Sequence, residues 1–503
     1  MARPSIRNHE SRSSASDLMQ RYSFCLILFI LANPVIMSKN FPAHHSQNSR
    51  DKCVCLSQNW FDFCACLLYT RFMERKALSD LQKWKGNSSR KPLILHGARQ
   101  VGKTWLLKEF GARFYQNVAY INFEANERMA TLFASDLDIP RLLTGLRIEA
   151  HTAIEPETTL IIFDEVQENP RALTSLKYFA ENAPTYHIVA AGSLLGIAMH
   201  KGISFPVGKV DFLDLYPFSF EEFLWASEES ELARLITNRD WQLLESLRGK
   251  LIEYLKYYYC VGGMPECVST FVESRDLERA RNIQISLLNA YEQNFSKYAE
   301  PAMVPRIRAV WNSLPRQLAR EQRKFTYGLV KEGARAREYE LAIQWLCDAG
   351  LIHKVYRAAK PGLPLRAYQE ESAFKLFMLD TGLFTAHSHL PLETLLQGSA
   401  LFEEAKGALT EQYVAQELHV RKDLEVFYWS SDISRAEIDF LIQKGQAIYP
   451  LEVKATENLQ SKSLRAFRDK FSPPRCYRAS LSPYRNEGWL VNLPLYALSA
   501  FLG

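Results

Sequence analysis

The sequence predicts an α/β chain: a parallel sheet flanked by helices, a helical lid, a winged-helix-like unit, and a second, smaller α/β unit. Three observations predict it. Short apolar runs in the first part end in polar residues and alternate with helically spaced segments, the pattern of strands buried in a parallel sheet. Residues 215–300 carry helical spacing and many aromatic residues, as in YPFSFEEFLW and EYLKYYYCVGG. Beyond residue 400 a helical segment precedes two strand-like runs, AEIDFLI (436–442) and YPLEVKA (449–455).

Length and composition fit this outline. The chain has 503 residues, room for roughly three domains. Hydrophobic residues are 47% and charged residues 23%, with 22 Gly and 22 Pro, which excludes a collagen-like or low-complexity chain. The formal net charge is +5. Residues 1–72 hold +4 of it, from eight basic residues (Arg3, Arg7, Arg12, Arg21, Lys39, Arg50, Lys52, Arg71) against four acidic ones (Glu10, Asp17, Asp51, Asp62). The remainder is close to neutral, so overall charge gives no support for a general nucleic-acid binder. Nine cysteines, an odd and sparse set, point to a reducing compartment rather than a disulfide framework.

The first 72 residues stand apart. SFCLILFILANPVIM (23–37) is too short for a spanning helix. Its long n-region with Glu10 and Asp17 and the lack of a neat small-residue cleavage site fit a signal peptide poorly. Cys53, Cys55, Cys64 and Cys66 are spaced too closely within each pair for an ordinary zinc site. The simpler reading starts the working chain at Met73, where MERKALSDLQKWK is charged and helical, with residues 1–72 an irregular extension. No membrane association is expected.

Residues 97–104, GARQVGKT, follow the strand-like PLILH (92–96) and open the helical KTWLLKEFG (103–111). This is the G-x-x-x-x-G-K-[ST] phosphate loop. Its backbone N–H groups are expected to turn toward phosphate oxygens, with the positive end of the helix behind them. Gly97, Ala98, Arg99, Gln100, Val101, Gly102, Lys103, Thr104 and Trp105 are therefore the candidate ATP contacts. Lys103 reaches the β- and γ-phosphates and Thr104 ligates Mg²⁺ in such a loop. TLIIFDE (159–165) is a second buried strand. Asp164 at its end is the second candidate Mg²⁺ ligand, and Glu165 the general base that polarises the attacking water. HIVAAGS (187–193) places Ser193 at a strand end, where ligands collect in open parallel sheets. Ser193 is a candidate γ-phosphate sensor. VAYINFE (118–124) is a further strand, so one strand separates the phosphate-loop strand from the DE strand in the chain. No adenine-specific residue can be named.

PLILHGARQVGKT, LIIFDEVQENP, AAGSLLG, LYPFSFEEFL (215–224) and CVGGMPE (260–266) together resemble a bacterial and archaeal family of AAA-type P-loop ATPases. In that family a C-terminal domain of unknown function follows, and KLFMLDTGLF (375–384) resembles its signature. The resemblance runs from about Met73 to the end. It implies an AAA+-like P-loop NTPase sheet, a cytoplasmic setting, and a homo-oligomer as one possible state. Relatives usually carry Arg after FPVG, where this chain has Lys209. Lysine lacks the planar fork of an arginine finger.

The C-terminal half offers two further features. In 324–358 a helix with Leu341, Ile343, Trp345 and Leu346 runs into Gly350 and a strand at Leu351–Tyr356, a winged-helix-like unit over 311–365. Lys331, Arg335 and Arg337 are candidate phosphate contacts. Glu332, Glu338 and Glu340 lie among them, and such units also dock proteins. In 366–503, Glu411 on a helix, Asp439 on one strand and Glu452 with Lys454 on the next resemble the PD-(D/E)xK pattern of a restriction-endonuclease-like domain. There the carboxylates would share a hard divalent ion and Lys454 would steady the phosphate. Inert docking modules use similar folds.

The expected domains are an extension (1–72), an ATPase (73–225), a helical lid (226–310), the winged-helix-like unit and the nuclease-like unit. The expected function is ATP binding and hydrolysis with Mg²⁺, driving or gating a protein or DNA partner through the C-terminal domain. An ATP-regulated metal-dependent DNA nuclease and a non-hydrolysing nucleotide-dependent scaffold are the alternatives.

Overall fold

The computed structural model describes residues 74–193, 196, 206, 208–319, 324–397, 400–433, 436–455 and 461–502. The expected extension 1–72 lies outside the described residues.

The first sheet has five strands: β1 (Leu93–His96), β2 (Asn117–Asn122), β3 (Thr159–Asp164), β4 (His187–Ala191) and β5 (Asp211–Asp214). Their spatial order is β2-β3-β4-β1-β5, and every neighbouring pair is parallel. All six residues of β3 are buried. That is why it reads as an unbroken apolar run and not as an alternation. Helix α1 (Lys76–Gly86) precedes the sheet, and α2 (Lys103–Phe114) follows β1 directly. Helix α2 runs through Gly111 to Phe114, past the glycine taken from sequence as its end. A Cβ on Gly111 would lie 2.6 Å from Val118 Cγ2, so close packing of helix on strand, and not capping, requires the glycine.

Helices α3 (Phe220–Ala226), α4 (Arg248–Val261), α5 (Pro265–Ser274) and α6 (Leu277–Tyr298) form much of the helical stretch after β5. Helix α3 starts with a full capping box, Ser219 with Glu222. Next come α7 (Val304–Leu318) and α8 (Ala336–Asp348), then β6 (Ile352–Ala358) and β7 (Gln369–Met378), which pair antiparallel. Tyr339, Ala342, Ile343, Trp345 and Leu346 form the buried face of α8. Leu341 lies on the open face, 69% exposed.

Helix α9 (Thr381–His387) and helix α10 (Ala400–His419) lead into β8 (Glu425–Ser430), β9 (Glu437–Lys444) and β10 (Ala447–Val453). Strands β11 (Cys476–Ser480), β12 (Arg485–Asn486) and β13 (Leu490–Pro494) complete an eight-stranded mixed sheet, ordered β12-β13-β11-β10-β9-β8-β6-β7. β6 pairs with β8 as well as β7, so the stretches on either side of residue 365 share one sheet.

One buried apolar cluster runs from Leu78 to Phe501 and takes in Phe218, Tyr258, Trp311, Phe377 and Tyr413. A second cluster fills the other face of the parallel sheet, around Phe123, Phe133 and Phe163.

A polar junction sits inside the first cluster. The buried Asp380 carboxylate accepts from Gly263 N at 2.6 Å and Leu383 N at 2.8 Å. Gln416 accepts from Thr381 N at 2.7 Å and donates to the Tyr258 hydroxyl at 2.8 Å. Tyr258 in turn donates to Phe218 O, and Glu417 accepts from Phe220 N at 2.8 Å. A Cβ on Gly262 would meet Asp380 Oδ1 at 2.2 Å, and one on Gly263 would meet Phe218 O at 2.1 Å. The CVGGMPE turn therefore needs both glycines for close approach. Burial raises the Asp380 carboxyl to about 6 and the Glu417 carboxyl to about 7, with the Gly263 and Phe220 amides pulling the other way.

Candidate nucleotide site and a second carboxylate cluster

β1 ends at His96, and residues 97–102 turn back before α2. Three of them have positive φ: Gly97 (155°), Gln100 (66°) and Gly102 (91°). A Cβ on Gly97 would lie 2.3 Å from Leu215 O. Glycine is required there because the loop passes directly against the backbone following β5. The buried Arg75 braces the loop from behind, donating to Val101 O at 3.2 Å, Tyr216 O at 2.6 Å and Glu222 Oε1 at 3.1 Å.

Lys103 is buried, and its Nζ donates to Gly97 O at 2.9 Å and Ala98 O at 2.8 Å. Burial pushes the ammonium down to about 8, against the opposing attraction of Glu165 and Asp164. Thr104 Oγ1 donates to Asp164 Oδ2 at 2.7 Å. Tyr120, on the adjacent strand β2, donates its hydroxyl to the same oxygen at 2.8 Å. Burial, then the bond to Asp164, keeps that phenol protonated well above its ordinary range. Glu165 has φ 49° and turns out of the strand end. Its Oε1 accepts from Ser193 Oγ at 3.3 Å, and its Oε2 from Gln167 Nε2 at 2.5 Å.

Lys103, Thr104, Asp164, Glu165 and Ser193 thus converge at the C-terminal edge of the sheet. Thr104 and Asp164 present hard oxygen donors side by side, a donor set that fits Mg²⁺. The loop's inward-turned backbone and the start of α2 fit a polyphosphate. Arg99 reaches helix α6: its guanidinium donates to Asn294 Oδ1 at 2.8 Å, and its carbonyl accepts from the Tyr291 hydroxyl at 2.9 Å. A Cβ on Gly350 would lie 3.3 Å from Ala98 N. The helix α6 and the turn after α8 therefore touch the loop itself. Tyr120, Arg75, Asn294 and Gly350 escape a sequence reading, because each meets the site through a fold contact, whereas Gln167 lies two residues from Glu165 and carries no motif position of its own. Lys209 pairs with Glu181 at 2.9 Å.

The four C-terminal candidates fall into two groups. Asp439 Oδ2 accepts from Val453 N at 2.7 Å, across the β9–β10 pair. Glu452 on β10 is buried and pairs with Lys454 at 2.9 Å. Burial raises the Glu452 carboxyl, opposed by Lys454. Glu411 on α10 lies instead with the buried Lys375, at 3.8 Å, and Lys375 pairs with Glu437 at 2.6 Å. Among the described residues no group of three His, Cys, Asp or Glu side chains is placed to hold a metal ion, and no helix is long and apolar enough to cross a membrane. Lys331, Arg335 and Arg337 are exposed, the first two ahead of α8 and Arg337 in its first turn.

A phosphate loop opening a helix between inner strands of a parallel sheet ordered 2-3-4-1-5 defines a P-loop nucleotide-binding fold. Family models resolve this further: residues 89–224 match an AAA domain, 252–394 a domain of unknown function (DUF8612), and 406–496 another (DUF4143). The chain carries an AAA-type P-loop ATPase domain followed by two domains of unknown function, where the sequence reading expected one. The signature KLFMLDTGLF falls in the first of these, and Glu411, Asp439, Glu452 and Lys454 fall in the second. No curated protein matches the chain.

Similar solved structures include the Walker-type ATPase PABY2304 of Pyrococcus abyssi, 15% identical over 63% of this chain and 95% of that one, with a TM-score of 0.40. The Aeropyrum pernix ORC1 protein in complex with DNA is 14% identical over 64% and 92%, with a TM-score of 0.24. The Thermotoga maritima RuvB Holliday junction branch migration motor is 12% identical over 58% and 91%, with a TM-score of 0.26.

Proposed function

We propose that the chain binds ATP with Mg²⁺, hydrolyses it, and uses the nucleotide state to change how its C-terminal half holds a partner. The observation that carries this reading is the meeting of Lys103, Thr104, Asp164, Glu165 and Ser193 at one sheet edge. The loop Gly97–Thr104 and Trp105 cradle the phosphates. Lys103 leaves the two loop carbonyls to meet the β- and γ-phosphates. Thr104 and Asp164 hold Mg²⁺, which neutralises phosphate charge when bound. Glu165 takes a proton from the attacking water, and Ser193, already on its carboxylate, orients Glu165 or senses the γ-phosphate.

Coupling to the rest of the chain is supported by the contacts of Tyr291, Asn294 and Gly350 with residues 98–99. A loop that reshapes around phosphates shifts those contacts. The partner is a protein or DNA held by the units beyond residue 252.

The test is Mg²⁺-dependent ATP hydrolysis by the full chain, with and without duplex DNA, beside Lys103→Ala and Glu165→Gln. Turnover abolished by Lys103→Ala supports the ATPase. Stimulation by DNA assigns the partner to nucleic acid, and indifference to DNA assigns it to protein. ATP binding without turnover replaces the hydrolysing reading with the nucleotide-dependent scaffold.

A further inference from the structure

The phenol of Tyr120 has an unusual position for a residue outside the phosphate loop and the DE strand. β2 runs parallel to β3, with Tyr120 opposite Ile162 and Asn122 opposite Asp164. From there the hydroxyl reaches along to Asp164 Oδ2 at 2.8 Å, the oxygen that also receives Thr104 Oγ1 at 2.7 Å. The other oxygen, Oδ1, accepts from Glu165 N at 3.1 Å. The Asp164 carboxylate is therefore held at both ends, and among the described residues Tyr120 is the holder supplied by a different strand. Tyr120 is itself fixed: Lys108, one turn beyond Thr104 on α2, places its ammonium 4.0 Å above the ring. Lys108, Tyr120, Asp164 and Thr104 form a closed path linking α2, β2 and β3.

We infer that Tyr120 is a positioning residue for the magnesium carboxylate. Its O–H fixes the rotamer of Asp164, so that Oδ2 already faces Thr104 before any ion arrives. Donors behind a ligating carboxylate typically change metal affinity by about 10- to 100-fold. This inference rests on the Mg²⁺–ATP reading above.

The test uses the full chain and a fluorescent ATP analogue, titrated in excess Mg²⁺ and again in a chelator. The readout is the ratio of the two dissociation constants, which needs no turnover. Wild type is expected to bind more tightly with Mg²⁺. Tyr120→Phe keeps the ring, its packing and the Lys108 contact, and removes only the hydroxyl. It is expected to bind like wild type in chelator and to lose about tenfold of the Mg²⁺-dependent gain. The melting temperature of Tyr120→Phe, taken beside its affinity in chelator, is the second measurement: a melting temperature and chelator affinity like those of wild type make the ratio a reading of the lost hydroxyl alone. An unchanged ratio in Tyr120→Phe overturns the inference and leaves the nucleotide reading standing. Wild type that binds no nucleotide, or binds it equally well in chelator, overturns both.

Discussion

Among the described residues, carboxylates lie near a lysine at the phosphate loop and again, in two groups, in the C-terminal sheet, and the two regions differ in where the lysines point. At the phosphate loop, Lys103 donates to two backbone carbonyls and leaves Asp164 and Glu165 to hydroxyl and amide donors. In the C-terminal sheet, Lys375 and Lys454 contact the carboxylates of Glu437 and Glu452 directly, with Glu411 at 3.8 Å. An ammonium held only by carbonyls can turn to an incoming anion at modest cost, because those bonds are neutral on one side. An ammonium buried against carboxylates is already charge-matched, and removing either partner strands the other. The first arrangement leaves its ammonium able to turn to an anion, and the second already sets charge against charge.

Perturbing each lysine separates the two arrangements. Lys103→Ala is expected to cut ATP turnover by about 10³-fold, measured by phosphate release, while costing only about 1 kcal/mol of stability. Equal losses of turnover in Lys103→Ala and Lys454→Ala would erase the distinction. Glu165→Gln is expected to slow hydrolysis by about 10²- to 10³-fold and to leave nucleotide binding intact, read by filter binding beside turnover. Lys375→Met takes the ammonium from the buried Glu411 and the partly exposed Glu437 and is expected to destabilise the fold by about 3 kcal/mol, seen as an earlier denaturant midpoint with ATP binding retained by the surviving native fraction.

pH sharpens the contrast with a smaller effect. With the Lys103 ammonium pushed down to about 8, ATP affinity is expected to fall about tenfold between pH 7 and pH 9, as the cation is lost. The polar junction behaves in the opposite sense to a salt bridge. A carboxyl raised in the fold binds its proton more tightly than in the unfolded chain. Glu417 thus contributes stability that is fully present below its ordinary 4.5 and is lost as pH rises to about 7. Glu417→Gln is expected to flatten that slope in melting curves taken across the window.

Contiguity decided how much was legible. GARQVGKT and TLIIFDE carry their chemistry in runs of consecutive residues, so the loop, both strands and the meeting of Thr104 with Asp164 could be read directly. Tyr120 sits 44 residues from Asp164 and Tyr291 sits 192 from Arg99. Periodicity says nothing about such pairs, because they are made by strand order and helix docking. Lys375 was in view only as part of a signature, and nothing in KLFMLDTGLF signals that its side chain meets Glu411. Leu341 was read with Ile343, Trp345 and Leu346 as an apolar residue of one helix, and it falls on the open side of α8. The strand read at Leu351–Tyr356 runs Ile352–Ala358 in the fold, and its membership in the large sheet was not read, since pairing partners β7 and β8 leave no local mark.

The family models divide the chain into three successive segments, but the apolar interior does not respect the divisions. Phe218, Phe220 and Phe223 belong to the first segment and pack in the same cluster as Tyr258, Phe271 and Tyr413 from the other two. A fragment cut at residue 224 would carry these rings to its surface as a single greasy scar. From residue 74 onward the described residues are modular as a text and joined as a solid, so the ATPase segment alone will need that face repainted before it stays in solution.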